Sequence, residues 1–334
     1  MLGAPLITIA IPTYNRVKLL EETLLSVIPQ VTAQVEILVC SNASQDGTDD
    51  LMETYCNRYK FIRYLKNDIN KGIDANIHKC TVEAMGEFVH LLSDDDILLP
   101  GAIGELIRKI EAYPETDFFY FNIRSFHAPF RGESYCEPPF EVADDLLFDD
   151  KNAFVEQIGV FATLVSAFVL RRSVWSSVPD KDLYIGTDIY LTYVLFQHIA
   201  RSRSSMFLKK AGVAIRAEYT GNYRIFYAFA YQWGRLLLHV APSWGYDRQC
   251  MKRIFRKTII FDLPHRVYSI RSKKIASSFD LKSLVYLFRY TWSFPVTWLY
   301  VFTAFFLPKA AHDRLYSLGR FVHERIKPLK LLVR

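Results

Sequence analysis

The chain has 334 residues, of which 51% are hydrophobic and 23% charged, so it can bury a large core and is not an intrinsically disordered protein. Its net charge is +6, and the basic residues are concentrated late in the chain, which indicates an anionic partner on that side, either a membrane surface or nucleic acid. The five cysteines show neither a CxxC pair nor zinc-ligand spacing, which predicts a reducing, cytoplasmic compartment. Leu6–Ile11 is too short for the core of a signal peptide, and we expect no membrane span within residues 1–280.

Strand and helix patterns alternate over the first half of the chain. The predicted strands are Leu6–Ile11, Val35–Cys40, Phe61–Leu65, Phe88–Leu92 and Phe118–Ile123, and the predicted helices between them are Val17–Ile28, Asp49–Arg58 and Asp74–Ala84. This alternation predicts an α/β fold with a Rossmann-like, doubly wound, mainly parallel sheet. Such sheets bind ligands in the crevice beyond the carboxyl ends of their strands.

A polar cluster follows each of the first four predicted strands. The most informative cluster is Asp94-Asp95-Asp96, which follows the buried strand Phe88–Leu92. Three adjacent carboxylates at the mouth of a crevice favour a site for a hard divalent cation, with substrate phosphate oxygens completing the coordination. The alternative is a solvated turn in which Asp96 caps the next helix.

Four segments, in order and spacing, resemble family 2 glycosyltransferases of the GT-A fold. These segments are Ile9–Arg16, Ser41–Thr48, Asn70–Gly72 and Gly86–Pro100, and the similarity extends over roughly residues 5–225. Within that family the chain looks most similar to the abequosyltransferase-type O-antigen enzymes. The resemblance implies a nucleotide-sugar donor, Mn²⁺ or Mg²⁺ as the cofactor, and inversion at the anomeric carbon.

The resemblance also implies roles for individual residues on the donor side. Pro12, Thr13, Tyr14 and Arg16 match the segment that receives the base and ribose. Asn42 stands where the family commonly has an aspartate that reads the base. Because an amide both donates and accepts hydrogen bonds, the identity of the base stays open between cytosine and uracil.

Further donor contacts and the metal ligands follow from the same comparison. Lys71 and Asp74 match positions that present groups to the nucleotide, and Asp94 matches a position next to the ribose. Asp95 falls on the metal-ligand position, and Asp96 is expected to support it as a second metal ligand. Ser93 replaces the first acid of the frequent Asp-x-Asp-Asp pattern.

An inverting transfer needs a base that takes the proton of the attacking acceptor hydroxyl. The segment Tyr184–Leu191 resembles the Gly-Glu-Asp-x-x-Leu base motif of the family, with Thr187 in place of the glutamate, and Asp188 is the candidate base. The alternative for Asp188 is an acid favoured by the dipole at the start of the following helix. Asp180 and Asp182 are further candidates for the base.

The sequence pattern changes near residue 225, from alternating strands and helices to helices alone. We expect a catalytic, nucleotide-sugar-binding domain at 1–224 and a helical, aromatic and basic region at 225–334. Leu284–Leu307 is its most apolar window, but Arg289 and Pro295 interrupt it, and the remainder is too short to span the ~30 Å hydrocarbon layer. Tryptophans between basic flanks are typical of helices in the membrane interface. The alternative is that these aromatic residues pack on the catalytic domain or on a sister subunit of a homo-oligomer.

The sequence therefore predicts a metal-dependent inverting glycosyltransferase, peripheral on the inner face of the cell membrane. We expect it to move a sugar, such as the dideoxyhexose abequose from a CDP-sugar, to a lipid-linked intermediate of O-antigen or lipopolysaccharide biosynthesis, without a nucleic-acid partner. A nucleotidyltransferase would also use strand-end acids, but its first turn would be rich in Gly, Lys and Arg, and Pro12–Asn15 is not. A non-enzymatic basic scaffold that binds membranes or nucleic acid is the other alternative.

Overall fold

A computed structural model describes residues 4–127, 135–136, 138–217, 224–263, 266, 281–295, 298, 306–308, 310–311 and 314–315. The chain divides into two compact units. The first unit comprises Met1–Thr220 and Trp244–Tyr246, and the second comprises Gly221–Ser243 and Asp247–Arg334. The short segment Trp244–Tyr246 thus belongs to the first unit although the second unit flanks it in sequence.

The first unit is built on a single mixed sheet. Its strands are β1 (Ile7–Thr13), β2 (Val35–Ser41), β3 (Ile62–Lys66), β4 (Phe88–Leu91), β5 (Ile97–Leu98), β6 (Phe118–Phe126), β7 (Tyr135–Cys136), β8 (Leu146–Phe148), β9 (Phe168–Arg171) and β10 (Ser205–Arg216). The order across the sheet is β3-β2-β1-β4-β9-β6-β10-β5, with β7 beside β6 and β8 beside β10. Its helices are α1 (Val17–Val27), α2 (Thr48–Arg58), α3 (Ile73–Glu83), α4 (Ala102–Ala112), α5 (Lys151–Ile158), α6 (Arg172–Ser177) and α7 (Tyr190–Arg201).

The half of the sheet formed by β3, β2, β1 and β4 is parallel, as predicted. Ile7 of β1 is in register with Val35 of β2 and with Phe88 of β4, and all three side chains are buried. Strands covered on both faces read as nearly continuous apolar runs, and this is the pattern of β1 and β2. The carboxyl ends of these strands consequently meet at one edge, which brings the polar clusters together.

The other half of the sheet departs from the expected parallel order. β9 lies antiparallel between β4 and β6, and β10 is parallel to β6 but antiparallel to β5. The register of β10 shifts around Gly212, where a Cβ would meet the ring of Phe121 at 2.1 Å. Irregularities of this kind bend a strand. β10 ends at Arg216, beside the acids that follow β4.

α3 carries polar residues on its buried face. It begins after Gly72, whose φ of 86° favours glycine, and it buries Asp74 and Asn76 together with Ile77 and Cys80. Buried polar side chains require hydrogen-bond partners, so α3 is expected to hold neighbouring segments in place as well as to pack on the sheet.

The second unit is helical in the part that the structure describes. Its elements are a π-helical segment Phe226–Gln232, α8 (Trp233–Arg235), a second π-helical segment Leu236–Val240, α9 (Arg248–Lys257), a third π-helical segment Thr258–Asp262, and α10 (Leu281–Thr291). Trp233 is fully buried and its indole N–H donates to Thr258 Oγ1 at 3.1 Å. A Cβ on Gly234 would meet the ring of Tyr290 at 2.8 Å, so glycine permits α10 to approach closely. No helix among the described residues has the length and apolar character that crossing a bilayer requires.

Candidate active site

The four residues Ser93–Asp96, here called the acid turn, follow β4 directly. Leu92 still pairs with the sheet through its N–H to the carbonyl of Ala10, and the N–H of Asp96 then closes the turn on the carbonyl of Ser93 at 3.3 Å. The three carboxylates differ in exposure. Asp94 and Asp96 are buried, whereas Asp95 is partly exposed, so only the middle carboxylate of the three is open to a ligand.

Arg16, from the turn after β1, pairs with two of the three acids. Its Nη1 lies 2.9 Å from Asp94 Oδ1 and 3.3 Å from Asp95 Oδ2. Burial raises the pKa of Asp94 to about 6, although the neighbouring Arg16 charge acts in the opposite direction. The predicted donor residue Arg16 and the predicted ribose residue Asp94 are therefore in contact.

Asp95 presents its carboxylate at the surface of this cluster. The hydroxyl of Ser93 donates to Asp95 Oδ1 at 2.7 Å, and 14% of the Asp95 side chain is exposed, against 4% of the Asp94 side chain. Ser93 replaces an acid of the family pattern, and here its hydroxyl orients the acid two residues later.

Asp96 is held inside the protein. Its Oδ2 accepts a hydrogen bond from the Ser166 hydroxyl at 2.6 Å, and its Oδ1 accepts one from the backbone N–H of Arg216 at 3.0 Å. Burial, together with the Asp95 charge, raises the pKa of Asp96 to about 8, which favours the neutral acid at neutral pH. These contacts join the acid turn to β10, and they lend no support to the prediction that Asp96 contacts the cation directly.

Two residues of this cluster carried little or no signal in the sequence. Ser166 accepts the N–H of Ser93 at 2.9 Å while donating to Asp96, so it connects both ends of the acid turn. Arg216 donates from Nε to the carbonyl of Asp95 at 3.1 Å and from Nη2 to Glu22 at 2.6 Å. Ser166 is separated from the acid turn by about seventy residues of sequence, and no local pattern pointed to it.

The predicted nucleotide-binding residues fall into two groups. Tyr14 is 43% exposed and Lys71 is also exposed, so both are available to a ligand, whereas Thr13 is buried and Pro12 is partly buried. An exposed tyrosine ring next to the crevice offers a stacking surface for a base.

Asn42 is buried, and the protein itself uses its amide. Its Nδ2 donates to Asn70 Oδ1 at 2.7 Å and to the carbonyl of Gly72 at 3.1 Å. Its Oδ1 accepts from the Lys71 N–H at 2.9 Å and from Asn67 Nδ2 at 3.0 Å. Asn42 thus shapes the loop that leads into α3, and its role in reading the base stays a prediction.

Asp74 contacts the segment of the candidate base. Its Oδ2 accepts hydrogen bonds from the backbone N–H groups of Gly186 at 2.8 Å and of Asp188 at 3.1 Å. The predicted contact of Asp74 with the nucleotide has no counterpart in these hydrogen bonds. Asp188 is partly buried, with a φ of 62°, and it lies two residues before the start of α7.

The two further base candidates lie outside this arrangement. Asp182 has 80% of its side chain exposed, with Oδ1 3.5 Å from His78 Nε2, and Asp180 has a left-handed φ of 53°. Neither makes a hydrogen bond with the acid turn among the described contacts.

The donor set suits a cation that the protein shares with its substrate. The described part of the chain contains no group of three or more His, Cys, Asp or Glu side chains arranged to hold a metal ion by themselves. Mg²⁺ is commonly held by one or two carboxylates together with substrate phosphates and water. The partly exposed Asp95 provides a carboxylate of that kind.

The mixed sheet with acids at the carboxyl end of the parallel strand β4 has the arrangement of the GT-A glycosyltransferase fold. Residues 8–175, about half of the chain, match the family described as glycosyl transferase family 2. The chain belongs to this family.

The chain is similar in sequence to named bacterial glycosyltransferases. The chain is 28% identical over 205 residues to abequosyltransferase RfbV of Salmonella typhimurium, a match that covers 57% of this chain and 60% of that protein. It is 34% identical over 106 residues to the GalNAc(5)-diNAcBac-PP-undecaprenol beta-1,3-glucosyltransferase of Campylobacter jejuni, covering 31% of this chain and 34% of that one. The matches therefore span less than two thirds of either relative.

Solved structures share the fold. S. aureus TarS 1–349 in complex with UDP-GlcNAc aligns with a TM-score of 0.61 at 14% identity, covering 94% of this chain and 92% of that one. The mannosyltransferase PcManGT from Pyrobaculum calidifontis, in complex with GDP-Man and Mn²⁺, aligns with a TM-score of 0.51 at 16% identity, covering 90% of this chain and 86% of that one.

Proposed function

We propose that this enzyme transfers a sugar, with inversion, from a nucleotide diphosphate donor to a lipid-linked saccharide of a surface polysaccharide such as O-antigen. The observation that carries the proposal is the acid turn, which presents one accessible carboxylate, Asp95, beside Arg16 at the carboxyl ends of the parallel strands. Ligands of such sheets bind at this edge.

The donor would lie between the turn after β1 and the loop before α3. Tyr14 would offer its exposed ring to the base, and the exposed Lys71 would meet negative charge. The assignment of Asp94 to the ribose comes from the family match, since its carboxylate is buried. Asp95 would hold Mn²⁺ or Mg²⁺, which when bound neutralises the charge that develops on the departing diphosphate. Asp96 supports this arrangement from behind by fixing the acid turn to Ser166 and β10.

Asp188 would act as the general base. As the acceptor oxygen forms its bond to the anomeric carbon, the bond from that carbon to the phosphate oxygen breaks, and the acceptor proton passes to the Asp188 carboxylate. Attack opposite the leaving group inverts the anomeric configuration.

The donor sugar is proposed from the relatives. A dideoxyhexose such as abequose, carried by CDP, follows from the likeness to the Salmonella abequosyltransferase. A lipid-linked acceptor is proposed from the undecaprenol-linked acceptor named for the Campylobacter relative.

An apolar stripe would contact the membrane; it is called here the exposed face of α10 and is formed by Leu281, Val285 and Phe288 of that helix and by Trp292, the residue that follows it. These side chains are 78%, 59%, 59% and 64% exposed and recur at helical spacing, so they form one apolar stripe. Lys282 and Arg289 flank the stripe, and residues 281–312 contain no Asp or Glu. An apolar stripe with a tryptophan and only positive charges suits an anionic lipid surface, here the inner face of the cell membrane.

The donor is tested by thermal unfolding in the presence of CDP-, UDP-, GDP- and dTDP-sugars, each with Mn²⁺ or with a chelator. A donor that binds the folded state raises the melting temperature, and we expect a response to one nucleotide that depends on the metal. Asp95→Asn should remove the metal-dependent part of that response, whereas Asp149→Asn, at an exposed acid of the same unit, should keep it. The absence of a response to every nucleotide would overturn the proposed function.

The base is tested separately by transfer to a lipid-linked acceptor. Asp188→Asn should abolish turnover while nucleotide-dependent stabilisation persists. Turnover at the wild-type rate in Asp188→Asn would mean that another group takes the proton.

A further inference from the structure

The buried carboxylate of Asp74 makes hydrogen bonds to which the proposed function assigns no role. Only 5% of the residue is exposed, and a single oxygen, Oδ2, accepts both the Gly186 N–H and the Asp188 N–H. Asp74 and Asp188 are more than a hundred residues apart in sequence, so the contact is a product of the fold.

The segment Gly186–Asp188, here called the base turn, has a backbone that needs such support. Gly186 has a φ of 93°, and Asp188 has a φ of 62°, in the left-handed region that a residue with a side chain adopts at a cost of roughly 1–2 kcal/mol. Thr187 closes the turn by donating from its N–H and its hydroxyl to the carbonyl of Tyr184, at 3.2 and 2.7 Å. Neighbouring groups therefore support the backbone conformation of Asp188, and the side chain of Asp74, from α3, is one of them.

The same face of α3 makes a second contact with this segment. His78 lies one helical turn after Asp74, and its Nδ1 is 2.7 Å from the hydroxyl of Tyr190 at the start of α7. Burial lowers the pKa of His78, which favours the neutral ring. Asp74 and His78 thus hold the base turn and the residue that opens α7.

Burial makes the negative charge of Asp74 energetically unfavourable. Burial raises the pKa of Asp74 to about 6, with the Asp188 charge adding to the rise and the two N–H groups opposing it. Among the described residues no Lys or Arg lies within ion-pair distance of its carboxylate. A buried carboxylate that is satisfied by two backbone N–H groups of one turn is suited to fix that turn in one conformation.

The start of α3 is also joined to the donor side. The carbonyl of Gly72, just before the helix, accepts from Asn42, and Asn42 in turn organises Lys71 and Asn70. One helix therefore begins at the loop that is proposed to meet the nucleotide and carries the carboxylate that contacts the base turn.

We propose that Asp74 is a positioning residue for Asp188: it fixes the base turn so that the Asp188 carboxylate stays at the place where it takes the acceptor proton. This inference rests on the proposed role of Asp188 as the base. Misplacement of a catalytic group by about 1 Å is enough to cost on the order of a hundredfold in rate, so a loosened turn should affect turnover more than donor binding.

The test compares Asp74→Ala, which removes the acceptor oxygen, with Asp74→Asn, which keeps one. We expect Asp74→Ala to lower kcat by roughly ten- to a hundredfold while the KM for the donor and the nucleotide-dependent thermal stabilisation change by less than about threefold. Asp74→Asn should recover most of kcat. Should Asp74→Ala fail to fold, Asp74→Glu, which keeps the charge and displaces it by one methylene group, replaces it with the same expected division between kcat and KM.

The outcomes separate the two proposals. Wild-type kcat in Asp74→Ala, or in Asp74→Glu where that variant replaces it, would overturn the positioning role if Asp188→Asn is inactive in the same assay. Equal losses in kcat and in donor binding, without recovery in Asp74→Asn, would also overturn it, because a merely structural residue behaves in that way. If Asp188→Asn is fully active, it is the proposed base that fails, and the positioning role fails with it.

Discussion

Arg16 bridges Asp94 and Asp95: its Nη1 lies 2.9 Å from an oxygen of the first acid and 3.3 Å from an oxygen of the second. The contact joins the turn after β1 to the turn after β4, two neighbouring parallel strands. One protein cation thus balances part of the negative charge at the point where a donor diphosphate and its metal ion are proposed to bind.

Replacing Arg16 should affect both stability and donor affinity. In Arg16→Gln the buried Asp94 loses its charged partner, and we expect unfolding to become easier by about 1–2 kcal/mol, since the partly exposed arginine is screened by solvent. Donor affinity should fall as well. Chemical denaturation and nucleotide titration measure the two effects, with Arg16→Lys as the control that keeps the charge. Unchanged stability in Arg16→Gln would mean that Asp94 does not depend on this pair.

Asp95 and Asp96 should respond differently to the same substitution. Asp95→Asn removes a charge that faces the crevice, so transfer should fall by at least a hundredfold while the melting temperature stays close to that of the wild type. Asp96 is buried with a pKa of about 8, so Asp96→Asn replaces a mostly neutral acid with a neutral amide and should keep the fold. Asp96→Ala leaves the Ser166 hydroxyl and the Arg216 N–H without their acceptor and should cost about 2–3 kcal/mol of stability.

Unfolding free energies and transfer rates of these three variants show whether the roles of Asp95 and Asp96 differ in this way. If Asp96→Asn is as inactive as Asp95→Asn and yet as stable as the wild type, Asp96 participates directly in donor or cation binding.

The stability that depends on Asp74 should fall as pH rises. Burial raises the pKa of this carboxyl from 3.8 to about 6 in the folded protein, so the folded state binds the proton more tightly than the unfolded state. The wild type should therefore lose stability relative to Asp74→Asn as pH increases from about 4 to about 7, by up to roughly 3 kcal/mol. Urea unfolding of both proteins at pH 4 and pH 7.5 gives the difference. A difference that does not change with pH would show that the carboxyl has the same affinity for protons in both states.

The exposed face of α10 should determine vesicle binding. Phe288→Ser and Trp292→Ser each remove a large apolar side chain that would be transferred from water into lipid, worth about 1.5–3 kcal/mol, and should weaken binding by roughly ten- to a hundredfold. Sedimentation with vesicles that contain phosphatidylglycerol measures this affinity. Leu25→Ser, at a residue of the first unit that is 58% exposed, is the matched control. If the variants abolish self-association of the protein instead, the face is a contact between copies of the chain.

The parallel half of the sheet could be predicted because it depends on patterns within short segments of the sequence. Apolar strands alternate with amphipathic helices, and each strand is followed by turn-forming residues, so the ends of β1, β2 and β4 had to meet at one edge. The antiparallel placement of β9 could not be predicted in the same way, because nothing within Phe168–Arg171 distinguishes the two directions.

The same limit applies to the candidate site. The sequence identified Asp95 and Asp188 as residues of interest, but the partners of Asp74 and Asp96 come from segments that are far away in the chain. Asn42 illustrates the point: its position suggested contact with a base, whereas its hydrogen bonds go to the loop Asn67–Gly72. Contacts of this kind depend on packing, which no local pattern records.

The segment Trp244–Tyr246 has a consequence for engineering the chain. Tyr246 is buried in the first unit, where its hydroxyl donates to the carbonyl of Phe196 at 2.8 Å and its ring lies beneath the ammonium group of Lys151. The polypeptide leaves the first unit and then returns to it. A fragment that ends at residue 220 would therefore lack Tyr246, which packs against α7. In chimaeras that exchange the second unit between related enzymes, Trp244–Tyr246 should therefore come from the same parent as the first unit.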